Sequence, residues 1–566
     1  MPRFYRERAP ADGNPTHEGR RRRTADVRVP SPPEAMTPTP VEGASRRSAL
    51  LVGCATVVAY LALATPNLGG FGAFYDELNK ACPAFAWIGR DSHMFSLCRI
   101  GGVPMMVMKY KAATKASLYG PLWLKAGRPF TIESWRMVGI SAVALTLFAF
   151  ILLARRALPP GALALVGGTL ILDATVLLGT RHDWGPVAIA LSLRLLMLGV
   201  WLRTSRTAPG ALRGAFVLGA LGGFAVFDKL SSAALVAPLL LWTLADGRGN
   251  ARRRFLALAA RGVLGAGPIL AVNAYWLFAY GELFSISEVL RTNPQDAESF
   301  LRILRGCLTL GGGAAYRAEM LGHPPTLLQD FDGVLLAGLL VLTVAVGIRL
   351  RRDTPGPARE GLLLAVSWGL VVLGLFALPE TTNPHHWALT TPYAIVGAAS
   401  AWTAARRRAP RLAALLIAAF LALWAVRLPG AYEIQRDLRA TRATRKWDPA
   451  LNELGRFAGR HETTGFLAAG WGVSTQIFCF GQGREDVVRQ LYRNYEGVAE
   501  LQHELDTSRH RSAVYVVALN PPVGPLNEVP PRIFADLAHV KGWVQAPLEP
   551  ELSSPALRCV KLVPVD

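Results

Sequence analysis

The chain has 566 residues, 51% of them apolar and 18% charged, with 61 Lys and Arg against 40 Asp and Glu for a formal charge of +21. So apolar a composition excludes an ordinary soluble protein, and the arginines fall in short clusters between apolar runs, as membrane topology requires and a nucleic-acid-binding face does not. Six cysteines in this length exclude a disulfide scaffold, and there is no zinc spacing or phosphate-binding glycine loop.

Residues 1–47 are rich in Pro, Arg, Thr and Glu and nearly free of aromatic residues after Tyr5. They cannot bury a core, so a disordered basic tail is expected. The segment SRRSALLVGC has the form of a twin-arginine lipoprotein signal ending at Cys54. The apolar run continues past Cys54, where a cleavage site would end it, so Cys54 reads as a helix residue.

A hydrocarbon core about 30 Å thick needs about 20 apolar residues as helix. Eleven runs qualify: 48–66, 137–154, 161–179, 185–202, 214–228, 230–245, 262–280, 332–349, 361–378, 388–404 and 411–427. With eleven spans, the clusters Arg46-Arg47, Arg155-Arg156, Arg203 with Arg206, Arg252 to Arg254, Arg349 with Arg351-Arg352, and Arg406 to Arg408 all fall on one side. By the positive-inside rule that side is the cytoplasm. The N-terminus is then inside and the C-terminus outside. The outer segments are 67–136, 180–184, the 228–229 tip, 281–331, 379–387 and 428–566. Segments 104–130 and 299–320 mix apolar and basic residues and are expected as amphipathic helices on the outer surface. Residues 428–566 turn polar, with apolar runs 464–467, 512–519 and 559–563 and a helix-like stretch 487–505. They read as a small α/β domain outside the membrane. The fold class is thus an α-helical polytopic membrane protein of about 11 transmembrane helices with a small C-terminal α/β extracytoplasmic domain.

Ionisable residues inside a bilayer are costly and point to function or to pairing. Asp173 and Arg194, on consecutive spans, each sit roughly 15 Å from the Arg181-His182-Asp183 turn at 1.5 Å per residue. They are expected to pair with each other, as buried charges must. The turn itself, GTRHDWGP, is short and on the outer side. Asp183 can cap the following helix, and Arg181, His182 and Asp183 together suit a phosphate and a cation or acceptor. Lys229, His385 and His386 fall on the same side, as do Asp76 and Glu77 in the first outer loop. A lipid-linked sugar phosphate needs these parts: cationic or imidazole groups for the departing phosphate, and a carboxylate base for the acceptor hydroxyl.

The same features carry a resemblance. An acidic pair, Tyr75-Asp76-Glu77, opens the first outer loop, and the aromatic–proline stretch SLYGPLWLKAG follows. RHDWGP separates the third and fourth spans, and Lys229 lies between the fifth and sixth. NPHHWALTTPYAIVGAA leads into a late span, and a polar outer domain ends the chain. By this layout, over roughly 48–427, the chain resembles the GT-C membrane glycosyltransferases, specifically the family 39 group of protein O-mannosyltransferases and bacterial lipid A aminoarabinose transferases. The resemblance implies an inverting transferase drawing on a polyprenyl-phosphate sugar. It gives Asp76 the catalytic role, with Glu77 beside it and Asp183 as the second acid of the cavity. Arg181, His182, Lys229, His385 and His386 would meet the donor phosphate. The late loop of the family usually offers Lys or Arg; the histidines here imply pH-sensitive binding. No acceptor motif carries over, so the acceptor stays open among lipid, glycan and protein.

Some GT-C enzymes use a divalent cation and others do not; Asp91 and His93 are the candidate ligands here. In an oxidising periplasm Cys82 with Cys98, and Cys479 with Cys559, could form disulfides. The expected setting is the bacterial inner membrane. The alternative reading is a transporter or flippase of a lipid-linked glycan, for which an Asp173–Arg194 pair at mid-depth is the one supporting feature. A lipid-glycan polymerase or ligase would differ in using a pyrophosphate-linked oligosaccharide.

Overall fold

The computed structural model describes residues 43–90, 98–108, 111–184, 187–204, 208–245, 251–280, 296–378, 383–388, 390–440, 445–522 and 527–565. Among these, eight helices are long and apolar enough to cross a membrane: Arg46–Ala64, Ile132–Ala154, Val187–Thr204, Ala211–Asp228, Phe255–Tyr275, Leu327–Leu350, Gly356–Ala377 and Pro410–Asp437. The chain is a multi-pass membrane protein, and each of these helices overlaps an expected span. The other three expected spans take different forms. The 230–245 run is the short helix Ser232–Ala245, and the 388–404 run is the helix Thr391–Arg408 ending in three arginines. The 161–179 run is broken: helix Pro160–Ile171 meets Thr175–His182 at a 62° bend.

Asp173 sits at that break. One carboxylate oxygen accepts the Thr175 N–H at 2.8 Å, restarting the helix; the other binds Arg427 at 2.8 Å. Arg427 also donates to Asp332 at 2.7 Å, and all three side chains are fully buried. The expected Asp173–Arg194 pair is therefore corrected. The bend turns Asp173 toward the helix Pro410–Arg439, while the Arg194 guanidinium lies 5.9 Å from the Tyr393 ring centroid.

The first segment expected on the outer side also departs from expectation. Residues 104–108 and 111–112 are strands, not amphipathic helix: β1 (Cys98–Ile100), β2 (Val103–Met108) and β3 (Lys111–Ala112) form an antiparallel sheet in that order. Gly101 and Gly102, both with positive φ (58° and 81°), make the two-residue turn that such a hairpin needs. Helix begins only at Thr114. Lys111 then bridges the backbone at Lys229, tying this sheet to the end of the helix Ala208–Asp228. The helix Ala297–Thr309 is amphipathic as expected, burying Ile303 and Cys307 and exposing Leu301.

The last apolar helix runs past 427 to Arg439. Beyond it the expected apolar runs become strands of a five-stranded sheet, order β5-β4-β6-β8-β7. Its strands are β4 (Thr464–Ala468), β5 (Val488–Gln490), β6 (Ala513–Leu519), β7 (Trp543–Ala546) and β8 (Leu557–Pro564). Strands β5, β4 and β6 are parallel, and every residue of the central β6 is buried, as expected for a strand covered on both faces. The helix expected over 487–505 starts only at Val498, because Val488–Gln490 pair with β4. One apolar cluster joins this region to the loop after the first long helix: Ala73, Leu78, Cys82 and Phe85 pack with Leu454, Phe457, Phe478 and Cys479.

Candidate active site

Asp76 and Glu77 lie on the short helix Tyr75–Asn79. Adjacent helical residues point about 100° apart, so the two acids cannot face the same partner. Glu77 turns inward: both its oxygens accept from Arg136 at 2.8 Å, and both side chains are fully buried. Arg136 donates further to the carbonyls of Phe71 and Gly72 at 3.3 Å and to that of Leu68, so this pair fixes the course of the loop entering the site. Asp76 is half-buried, with its charge acting on Lys80 and Lys229.

Asp183 adopts left-handed backbone (φ 48°), which the short Asp side chain tolerates. Its Oδ1 accepts the Ala188 N–H at 3.1 Å, capping the helix Val187–Thr204. Its Oδ2 lies 3.1 Å from Lys115 Nζ and 3.6 Å from Lys80 Nζ, and Lys80 also donates to the Asp183 carbonyl at 2.7 Å. Burial alone would raise the Asp183 pKa; the two ammonium groups and the amide outweigh it and hold the carboxyl below its usual range. Burial, with Lys111 and Lys115 nearby, lowers Lys80 to about 8, Asp183 opposing.

Four lysines are buried here: Lys80, Lys111, Lys115 and Lys229. The fully buried acids among them are Asp183 and Asp228, with Asp76 at the margin. Among the described residues Lys229 Nζ has no hydrogen-bond partner although the side chain is buried. A buried ammonium without a partner is costly: burial, Lys111 and Lys80 push Lys229 well below its ordinary pKa, and an anion beside it would favour its charged form. His385 and His386 stand beside this group, their rings 4.1 Å apart and His385 5.9 Å from Trp184. Burial, the neighbouring imidazole and the lysines push His385 well below its ordinary pKa; burial and the lysines do the same to His386. Each ring has an Nδ1 without a hydrogen-bond partner among the described residues.

Two further expected phosphate-binding residues, Arg181 and His182, also contact the loop, while Arg181 Nε and both His182 ring nitrogens have no hydrogen-bond partner among the described residues. Arg181 donates to the Asn67 carbonyl at 2.5 Å and to Gln435 at 3.2 Å, and the His182 ring meets Phe71 edge-on at 4.0 Å. Asp91 and His93 lie outside the described residues. Among those described, no three His, Cys, Asp or Glu side chains gather as a metal would need, and the Asp183 oxygens are taken by lysines and an amide. Lys80, Lys111, Lys115, Arg136 and Asp228 were not singled out in the sequence. Only Lys80 left a trace there, four residues after Asp76 on one helical face.

The C-terminal region closes one flank. Asn452 Oδ1 accepts the Ala73 N–H at 2.9 Å, Gln476 donates to the Ala73 carbonyl at 2.6 Å, and Gly72 N donates to the Trp447 carbonyl at 2.9 Å. A Cβ on Gly72 would fall 2.0 Å from the Asp448 carbonyl oxygen, so only glycine permits this approach. Trp471 packs 4.6 Å from Tyr75, next to Asp76. This docking also brings together two cysteines that were not expected to pair. Cys82 Sγ lies 3.5 Å from Cys479 Sγ, Cys98 is on β1, and Cys559 is on β8 opposite Val517.

No protein-family model matches the sequence, and no curated protein aligns with it significantly. Solved structures do match. ArnT from Cupriavidus metallidurans bound to undecaprenyl phosphate superposes with a TM-score of 0.55 at 10% identity, over 92% of this chain and 98% of that one. Its apo form gives 0.55 at 11% identity, over 90% and 97%. The oligosaccharyltransferase AglB from Archaeoglobus fulgidus gives 0.44 at 12% identity, over 83% and 69%. End-to-end coverage of ArnT by helices and C-terminal sheet together shows that this chain has the fold of the GT-C membrane glycosyltransferases.

Proposed function

We propose that the chain is an inverting glycosyltransferase that moves a sugar from a polyprenyl-phosphate donor to an acceptor hydroxyl. The observation that carries this is the half-buried carboxylate of Asp76 beside four buried lysines, one of them without a hydrogen-bond partner. Asp76 is the general base: it takes the proton as the acceptor oxygen forms its bond to the anomeric carbon. The bond from that carbon to the donor phosphate breaks on the opposite face, which inverts the configuration. The phosphate leaves into the lysine group, where Lys229, Lys80 and Lys111 balance its charge. His385 and His386, neutral, donate N–H bonds to its oxygens. Asp183 holds Lys80 and Lys115 in place, and Glu77 with Arg136 holds the loop. Arg181 and His182 act through Asn67 and Phe71.

The likeness to ArnT, solved with undecaprenyl phosphate, supports a lipid-phosphate donor whose tail lies in the bilayer. The arginine clusters support an inner-membrane setting with the N-terminus cytoplasmic and the active loop and C-terminus periplasmic. The layout is then a cytoplasmic tail over 1–47, a membrane domain over 48–427 and a periplasmic domain over 428–566. Transport loses its supporting feature, because Asp173 is paired with Arg427, which it shares with Asp332, and not with Arg194.

The test is Asp76→Asn, assayed for sugar transfer in membranes with the protein level matched. Loss of a general base lowers the rate by about 10²–10⁴-fold. Transfer at the wild-type rate would remove Asp76 from the mechanism.

A further inference from the structure

Cys82 and Cys479 come from opposite ends of the chain and meet in the interior. Cys82 opens the turn Cys82–Ile88, six residues after Asp76; Cys479 is in the helix Ser474–Phe480. Both are buried, their sulfurs are 3.5 Å apart, and both point at the Leu78 carbonyl oxygen, at 3.2 and 3.8 Å. The backbone around them is already held on both sides by the Gln476–Ala73 and Asn452–Ala73 hydrogen bonds. A disulfide has sulfurs about 2.05 Å apart, so closing the pair asks for a shift of side chains rather than of elements.

We propose that Cys82 and Cys479 form a disulfide that fastens the Asp76 loop to the C-terminal region. The proposal rests on the reading that both segments lie outside the cytoplasm, where such bonds persist. The oxidant is a protein disulfide. The Cys82 thiolate attacks one of its sulfurs, forming a mixed disulfide and releasing the oxidant's first thiolate. The Cys479 thiolate then attacks Cys82 Sγ and expels the second. Two protons and two electrons leave with the oxidant as a dithiol. Burial pushes the Cys82 thiol well above its ordinary range in the docked state, so the exchange precedes full seating of the loop.

The test uses the native sequence and so does not depend on a variant folding. Cells are quenched in acid, free thiols are alkylated under denaturing conditions, and the protein is digested and mapped. A peptide joining Cys82 to Cys479 that separates on reduction, with Cys307 and Cys559 alkylated, supports the bond. Alkylation of Cys82 and Cys479, or a link of either to Cys98 or Cys559, overturns it. A Lys541→Cys variant, exposed in the C-terminal region, reads the sidedness independently with a membrane-impermeant maleimide on intact cells. Labelled Lys541→Cys with free Cys82 and Cys479 sinks the disulfide alone; an unlabelled Lys541→Cys that reacts only after permeabilisation sinks the topology and the disulfide with it. Reductant should lower the unfolding midpoint of the purified wild type and leave that of Cys82→Ala/Cys479→Ala unmoved; a wild type that does not respond counts against the tie.

Discussion

Adjacent acids can have opposite surroundings, and Asp76 and Glu77 show how. Glu77 is fully buried on Arg136, and removing one partner of a buried ion pair costs about 3–5 kcal/mol. Glu77→Gln should therefore lower the unfolding midpoint and the amount of protein in the membrane, while Asp76→Asn should spare both and lose transfer. Thermal unfolding in detergent alongside the transfer assay separates the two. Lys80 makes a second prediction at this scale. Its pKa falls from 10.5 to about 8 on folding, chiefly through burial. Between those values the unfolded chain still holds the proton that the folded chain has lost, so this lysine's contribution to stability rises with pH across that window. Donor binding moves the other way, because the ammonium disappears above about 8. The donor KM should climb above that pH in the wild type, and Lys80→Arg, charged at any such pH, should flatten the climb.

At the level of elements, the broken helix is the instructive case. Asp173 caps the restart at Thr175 and shares Arg427 with Asp332, so three elements are locked where the chain bends by 62°. Arg427→Met would leave two buried carboxylates without a counter-charge; a loss of about 3–5 kcal/mol is expected. Replacing all three residues by apolar ones should recover most of it, and unfolding midpoints of the two variants decide. Asp173 and Arg194 are close in sequence, and a pairing rule that looks only to the next helix selects Arg194. The true partner is 254 positions away, at the edge of a span where an arginine reads as a boundary mark. The three-stranded sheet has a local signal, Gly101-Gly102 between apolar runs, which marks a hairpin but is masked in the sequence by the basic residues after it. Apolar run length, by contrast, made the long helices legible, since nothing but a helix satisfies its own backbone in lipid.

For the whole molecule, charge segregation gives the sharpest expectation. His323 and Asp353 lie beyond the two ends of the helix Leu327–Leu350 and are both exposed. His323→Cys should react with an impermeant maleimide on intact cells and Asp353→Cys only after permeabilisation; the reverse pattern would invert the topology. The acids of the site could be read from the sequence because they sit in short loops between spans. Its lysines could not, because Lys80, Lys111 and Lys115 look like ordinary loop residues until the hairpin and the Asp183 turn are folded together. The contribution of the C-terminal region was equally hidden, since a glycine at 72 shows nothing of the carbonyl that leans against it.

That docking of the first loop on the last part of the chain also governs timing. The contacts from Ala73 to Asn452 and Gln476 span 379 and 403 positions. At about 5–20 residues per second, on the order of 20 to 80 s of synthesis separates the loop from its partners. A nascent chain thus carries Asp76 and Glu77 well before the partners that hold their loop in place have been made.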